Sequence, residues 1–188
     1  EFKQIQPDCG SFIGYLGGKT KLCSTILTCL HPHKCYCETF MGSAVVFFGK
    51  PIGMSKIEFI NDISGELVNL MKVIAGTYFD KEVREEFISY VRNMPASRKA
   101  YEDWKGWDKE KISKLNHAQK AFRFYYCVKK GFSSVPTGGY EASPKSKSRY
   151  NQNTDFDKFA ERFRITNAQI ENLHFTKFIT KYNRPQNR

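Results

Sequence analysis

The residues best suited to chemistry lie in Glu38 to Phe48, Glu-Thr-Phe-Met-Gly-Ser-Ala-Val-Val-Phe-Phe. A carboxylate, Glu38, precedes a bend of small residues, Gly42, Ser43 and Ala44, and an apolar run follows. Before it, Lys34-Cys35-Tyr36-Cys37 reads as a short β-type run. A strand that turns through glycine into a helix brings backbone N–H groups and a positive dipole end close to a ligand. Lys56 to Ile60 reads as a second strand, ending in Asn61-Asp62, and Asp62 lies 20 positions after Gly42. A glycine turn with an acid about 20 residues on is the βαβ nucleotide-site arrangement, the acid accepting from ribose hydroxyls. Any α/β protein with a glycine turn shares these two features, so they leave a nucleoside-type ligand and a plain structural turn both open.

The surrounding elements must position those residues. Phe12 to Thr20 ends in Gly18-Lys19-Thr20, which invites a phosphate-loop reading. The spacing denies it, because the glycine needed five positions before Gly18 is Ile13. What remains is a Gly-Gly turn whose backbone can approach a ligand, followed by a lysine. A helix is expected from about Lys21 to Leu30, and another from Gly65 to Ala75 with Leu67, Leu70, Met71 and Ile74 on one face and Gly76 as its stop. Residues 77–135 then read as helices with no strand between them. One carries Val83, Phe87, Ile88 and Val91 and ends at Pro95; another runs from Asn116 to Lys130 with Gly131 as its C-cap. Residues 131–154 read as an exposed loop or hairpin. Thr154 is expected to open a helix with Asp157 as capping-box partner and Phe156, Phe159, Ala160 and Phe163 inward. A strand near Gln169 to Phe175 and a short helix with Phe178 and Ile179 close the pattern. An all-helical block set into a βα pattern reads as an insertion.

Charge singles out that block. The net charge is +11, and residues 111–150 hold nine Lys/Arg against one acid, Glu141. Positive charge so concentrated attracts a polyanion by counterion release, which makes nucleic acid the preferred partner over a merely solvated basic face. The six cysteines include Cys35 and Cys37, which alternate on a strand and face one side. With His31 and His33 nearby a metal site is conceivable, but there is no second ligand pair at zinc-type spacing. No metal is expected, and the thiols read as buried in a reducing compartment. No apolar run approaches the roughly 20 residues of a membrane span and no signal peptide is visible, so the cytoplasm is expected.

The ordered set is more specific than its parts: Tyr-Leu-Gly-Gly-Lys, Tyr-Cys-Glu-Thr-Phe-Met-Gly-Ser-Ala, Phe-Ile-Asn-Asp-Ile-Ser-Gly-Glu-Leu, a basic helical insert, then Ile-Glu-Asn-Leu-His-Phe. From Phe12 to Pro185 the chain resembles the Dam-like DNA adenine N6-methyltransferases, most nearly their phage-type members. The resemblance implies an α/β, Rossmann-like S-adenosylmethionine-dependent methyltransferase sheet with a helical target-recognition insertion. Residues 1–76 and 165–188 would form the donor-binding domain and 77–164 the insertion. Tyr15, Gly17, Gly18 and Lys19 match the family's N-terminal donor motif. Glu38, Phe40 and Gly42 match its Glu-Pro-Phe-x-Gly turn, and Asp62 the ribose-binding acid. The implied partner is double-stranded DNA, and charge nominates Arg123, Lys129, Lys130, Lys145, Lys147 and Arg149 to contact it.

The chain also departs from the family. No two of its seven prolines are adjacent, so the catalytic Asp-Pro-Pro-Tyr motif does not occur. In the family that motif follows a stretch like Tyr182 to Pro185, and the expectation is a chain that stops short of its catalytic strand. His174 stands where relatives carry an Asp near the donor's adenine. Thr39 and Ala44 replace a Pro and a Gly of the turn motif. Two readings follow: an adenine methyltransferase present here without its catalytic motif, and a non-catalytic DNA-binding relative.

Overall fold

The computed structural model describes residues 10–142 and 150–184. β1 (His33–Glu38) and β2 (Ser55–Asn61) run parallel, with Tyr36 beside Glu58 and Glu38 beside Ile60. β3 (Gln169–Glu171) adds in parallel to β2, giving the order β1-β2-β3. Among the described residues the sheet thus has three parallel strands in a mixed α/β chain, consistent with the expected methyltransferase-like fold. Alternation along β1 buries Tyr36 and Glu38 on one face and leaves Cys35 and Cys37 on the other.

Two short helices flank β1. α1 (Cys23–Thr28) is shorter than expected because its end tightens, Cys29 and Leu30 donating to Ile26 and Leu27 in three-residue turns. α2 (Val45–Gly49) leaves the small-residue bend and returns the chain to β2. α3 (Gly65–Ala75) forms where the apolar spacing places it. The Ser64 hydroxyl accepts from the Leu67 amide at its start, and Gly76 closes it at φ 69°.

The helical block contains α4 (Lys81–Asn93), α5 (Arg98–Lys105), α6 (Lys109–Ser113) and α7 (His117–Lys130). Asn116 and Gln119 close a reciprocal capping box on α7. Gly131 is the C-cap of α7 as expected, though not in the left-handed region. It is extended, and a Cβ there would meet the Val135 carbonyl at 2.1 Å, so tight chain return is what demands glycine. Of the expected loop or hairpin, the described residues show a short turn at Phe132–Ser134 and an antiparallel bridge between Gly131 and Tyr140.

α8 (Asp157–Thr166) starts later than Thr154. Thr154 turns back to donate to the Asn151 carbonyl, and Asp155, not Thr154, accepts the Asp157 amide, so the expected capping box does not form. Although the sequence grouped this helix with the insertion, it packs on the sheet. Phe159 and Phe163 meet the Phe48 and Phe47 rings edge-on or tilted, a burial worth about 1.5–3 kcal/mol per ring. Arg162 donates to the Phe47 carbonyl. α9 (Phe175–Tyr182) covers part of the opposite face, stacking Tyr182 on Phe59 at 3.8 Å.

One hydrophobic core runs without a break from Ile13, Phe47 and Ile60 through α3 to Tyr101, Tyr125 and Tyr150. Beneath β2 lies a buried ionic group. Lys50 lies 2.5 Å from Glu58, Arg162 approaches the same carboxylate at 3.1 Å, and Ser55 donates to it at 2.8 Å. No helix of the described residues is long and apolar enough to cross a membrane.

Candidate functional site

The carboxyl ends of the three strands converge on Asn61. Its amide donates to the Thr39 and Leu173 carbonyls, and its carbonyl accepts from the Leu173 amide. One buried side chain thus ties the exit of β1 to the exit of β3. Open α/β sheets bind ligands at this end.

The bend after β1 is held from β2. Asp62 accepts from the Gly42 amide at 3.0 Å with one oxygen and from the Ser64 amide at 2.9 Å with the other. Gly42 sits at φ 50°, with the Tyr15 ring 3.5 Å from where its Cβ would be. Ala44, at φ 54°, occupies the left-handed region that a glycine would take without strain. The acid expected to serve a ribose is therefore already a clamp between two turns. A carboxylate offers about four lone-pair positions, so two backbone donors leave acceptor capacity on Asp62.

Glu38 is the less satisfied acid. Tyr36 donates to its Oε2 at 2.9 Å, while Oε1 is buried without a hydrogen bond, 3.5 Å from the Lys19 ammonium. Lys19 itself donates to the Phe40 carbonyl at 2.5 Å. Burial pushes the Glu38 carboxyl above its ordinary range, against the opposing pull of Lys19 and the Tyr36 hydroxyl. Burial likewise raises the Tyr36 and Tyr15 hydroxyls. The structure thus brings Tyr15, Gly18, Lys19, Glu38, Phe40, Gly42 and Asp62 to one end of the sheet, with Gly17 exposed in the loop at φ 75°.

Sequence reasoning named Phe40 but missed the rest of an apolar rim at the same end. Phe40 is 60% exposed and lies 5.9 Å from the Phe175 ring, and Ile63 is 67% exposed. Asn172 secures the Asp62-Ile63 stretch by donating to both carbonyls. Exposed aromatic and branched side chains beside a glycine turn were a readable signal for Ile63. His174 is exposed and caps α9, accepting from the Thr176 amide.

The basic residues separate into three groups. Arg123 is buried, its guanidinium bound to the Glu66 carboxylate at 2.7 Å and the Trp104 carbonyl at 3.1 Å. Lys130 is 6% exposed and lies over the Tyr140 ring at 4.9 Å. Both groups, expected to face DNA, are thus engaged within the fold, Arg123 between α3 and α5 and Lys130 against the Tyr140 ring. Lys129 is half-buried and lines a cavity of about 330 Å³ with Tyr15, Gly18, Thr20 and Ser134, so the helical block and the N-terminal motif share a wall. Lys145, Lys147 and Arg149 lie outside the described residues.

No curated protein matches the chain. The family model described as D12 class N6 adenine-specific DNA methyltransferase matches residues 15–187, from the Tyr15 loop through the strand-end site to the close of the described chain, and the protein belongs to that family.

Proposed function

We propose that the chain binds S-adenosylmethionine at the ends of β1 and β2 and double-stranded DNA through its helical block, and that these 188 residues alone do not transfer the methyl group. The observation that carries the donor reading is Glu38, a buried carboxyl with one oxygen left without a hydrogen bond beside the glycine bend. S-adenosylmethionine supplies an electrophilic methyl on a sulfonium. A cationic centre near Glu38 would offset the cost of the buried negative charge, which the single lysine at 3.5 Å does only in part. The Tyr15 to Lys19 loop and Gly42 allow close backbone approach. Phe40, Ile63 and Phe175 offer apolar surface for a purine ring, and Asp62 retains acceptor capacity for ribose hydroxyls. Lys129 brings cationic character to the hollow beside Tyr15, where DNA and donor would meet.

Calorimetry with S-adenosylmethionine and its demethylated product tests the first half. Binding that weakens in Glu38→Gln supports it, and no binding to the folded wild type overturns it. An assay with labelled donor and adenine-containing duplexes tests the second half, with no incorporation expected. The second reading, a DNA-binding relative without chemistry, is favoured by His174, which stands where relatives carry an Asp near the donor's adenine. It requires duplex binding that persists where the donor does not bind.

A further inference from the structure

We propose that Cys35 and Cys37 form a two-thiolate site for a soft, thiophilic metal ion on the open face of the sheet. Contrary to the expectation of buried thiols, Cys37 is exposed and Cys35 half-buried. The alternation that buries Tyr36 and Glu38 against the core sends these two side chains to the other face, where α9 gives only partial cover. Their sulfurs stand 3.6 Å apart. Both border a cavity of about 240 Å³ shared with Thr39, Phe178, Tyr182 and Arg184, so an ion has a way in.

Geometry separates an ion from a disulfide. A metal at thiolate distances of about 2.3 Å spans 3.6 Å with a sulfur–metal–sulfur angle of roughly 100°, near tetrahedral, with no movement of the strand. A disulfide would need the sulfurs to close to about 2.05 Å, on Cα atoms that an extended strand holds about 6.6 Å apart, at the upper end of what a disulfide tolerates. Among the described residues no group of three or more His, Cys, Asp or Glu could hold a metal. The ion would therefore keep two positions for water or an added ligand. Loading replaces the two thiol protons with the ion. The site faces away from Glu38 and does not depend on the donor reading.

Cadmium titration in the presence of a phosphine reductant tests the site through the thiolate-to-cadmium charge-transfer absorption. One equivalent should bind. Cys35→Ser and Cys37→Ser should each weaken binding by at least about tenfold, whereas Cys29→Ser should leave it unchanged. In the wild-type protein, bound cadmium should also shield Cys35 and Cys37, but not Cys29, from alkylation read by peptide mass spectrometry, which needs no variant to fold. Absence of the absorption band, or equal alkylation of all three cysteines with and without cadmium, overturns the proposal.

Discussion

Two buried glutamates sit on one face of the sheet with Tyr36 between them, and they live in opposite conditions. Glu58, near the start of the sheet, is enclosed by Lys50, Arg162 and Ser55. Burial alone would raise its carboxyl, but the hydrogen bond from Lys50 and the charge of Arg162 outweigh burial and hold it below the ordinary range. Glu38, at the strand ends, has one hydroxyl donor and a lysine at 3.5 Å, and burial wins. Removal from water is common to both. What differs is how much compensating charge the fold supplies. Two close cations make Glu58 part of the scaffold; one more distant lysine leaves Glu38 the acid on which the donor proposal rests.

The strongest way to break this contrast is to strip Glu58 of a partner. Lys50→Met should leave the buried Glu58 carboxylate with Arg162 as its one remaining cation and cost up to about 3–5 kcal/mol, read as a lower urea midpoint. A loss below about 1 kcal/mol would show that the ionic group is incidental. Asp62→Ala comes next. It frees the Gly42 and Ser64 amides, at about 1–3 kcal/mol for each buried donor left unpaired. Donor affinity should fall at least about tenfold, near 1.4 kcal/mol.

Glu38→Gln sharpens the contrast by sign. A carboxyl whose folded value is raised loses stability for the fold as pH climbs from the unfolded value of about 4.3 through the folded one. Glu38→Gln should therefore leave the ligand-free protein as stable or more stable at neutral pH while weakening the donor by about tenfold. Glu58 runs the other way. Its contribution is present above about 4.3 and is lost as pH falls through its lowered folded value. A Glu38→Gln variant that loses both stability and affinity would place Glu38 with the scaffold.

The smallest effect separates two adjacent lysines. Lys129→Gln should reduce the salt slope of DNA binding by about one with little change in stability. Lys130→Gln should instead lower the melting temperature, because its stem and charge are buried against Tyr140. Equal effects on DNA binding would put Lys130 back among the contacts.

The parts of this molecule that were legible from sequence are those fixed by local patterns. β1, β2 and α3 follow from two- and 3.6-residue periodicity with Gly76 as punctuation, and the glycine bend and Asp62 follow from spacing. What stayed hidden depends on distant partners. Arg162 and Glu58 are 104 positions apart, and nothing local marks either as buried. Arg123 and Lys130 counted as surface charge because a basic run carries no record of Glu66 or Tyr140. Asn61 was read as the end of a strand, although its role as a three-way tie requires Thr39 and Leu173 to be close in space. What α8 covers was equally hidden, because an amphipathic helix announces an apolar face but not its partner, here Phe47 and Phe48.

The unbroken core through α3 has a practical meaning for anyone who wishes to retarget such a protein. α3 begins three residues after Asp62 and lies against α7, to which Glu66 is fastened through Arg123. A helical block lifted from a relative would arrive without the matching side of α3, and its graft would disturb the turn at Asp62. If recognition resides in that block as proposed, it is no detachable cassette; exchanging it means redesigning the wall it shares with α3.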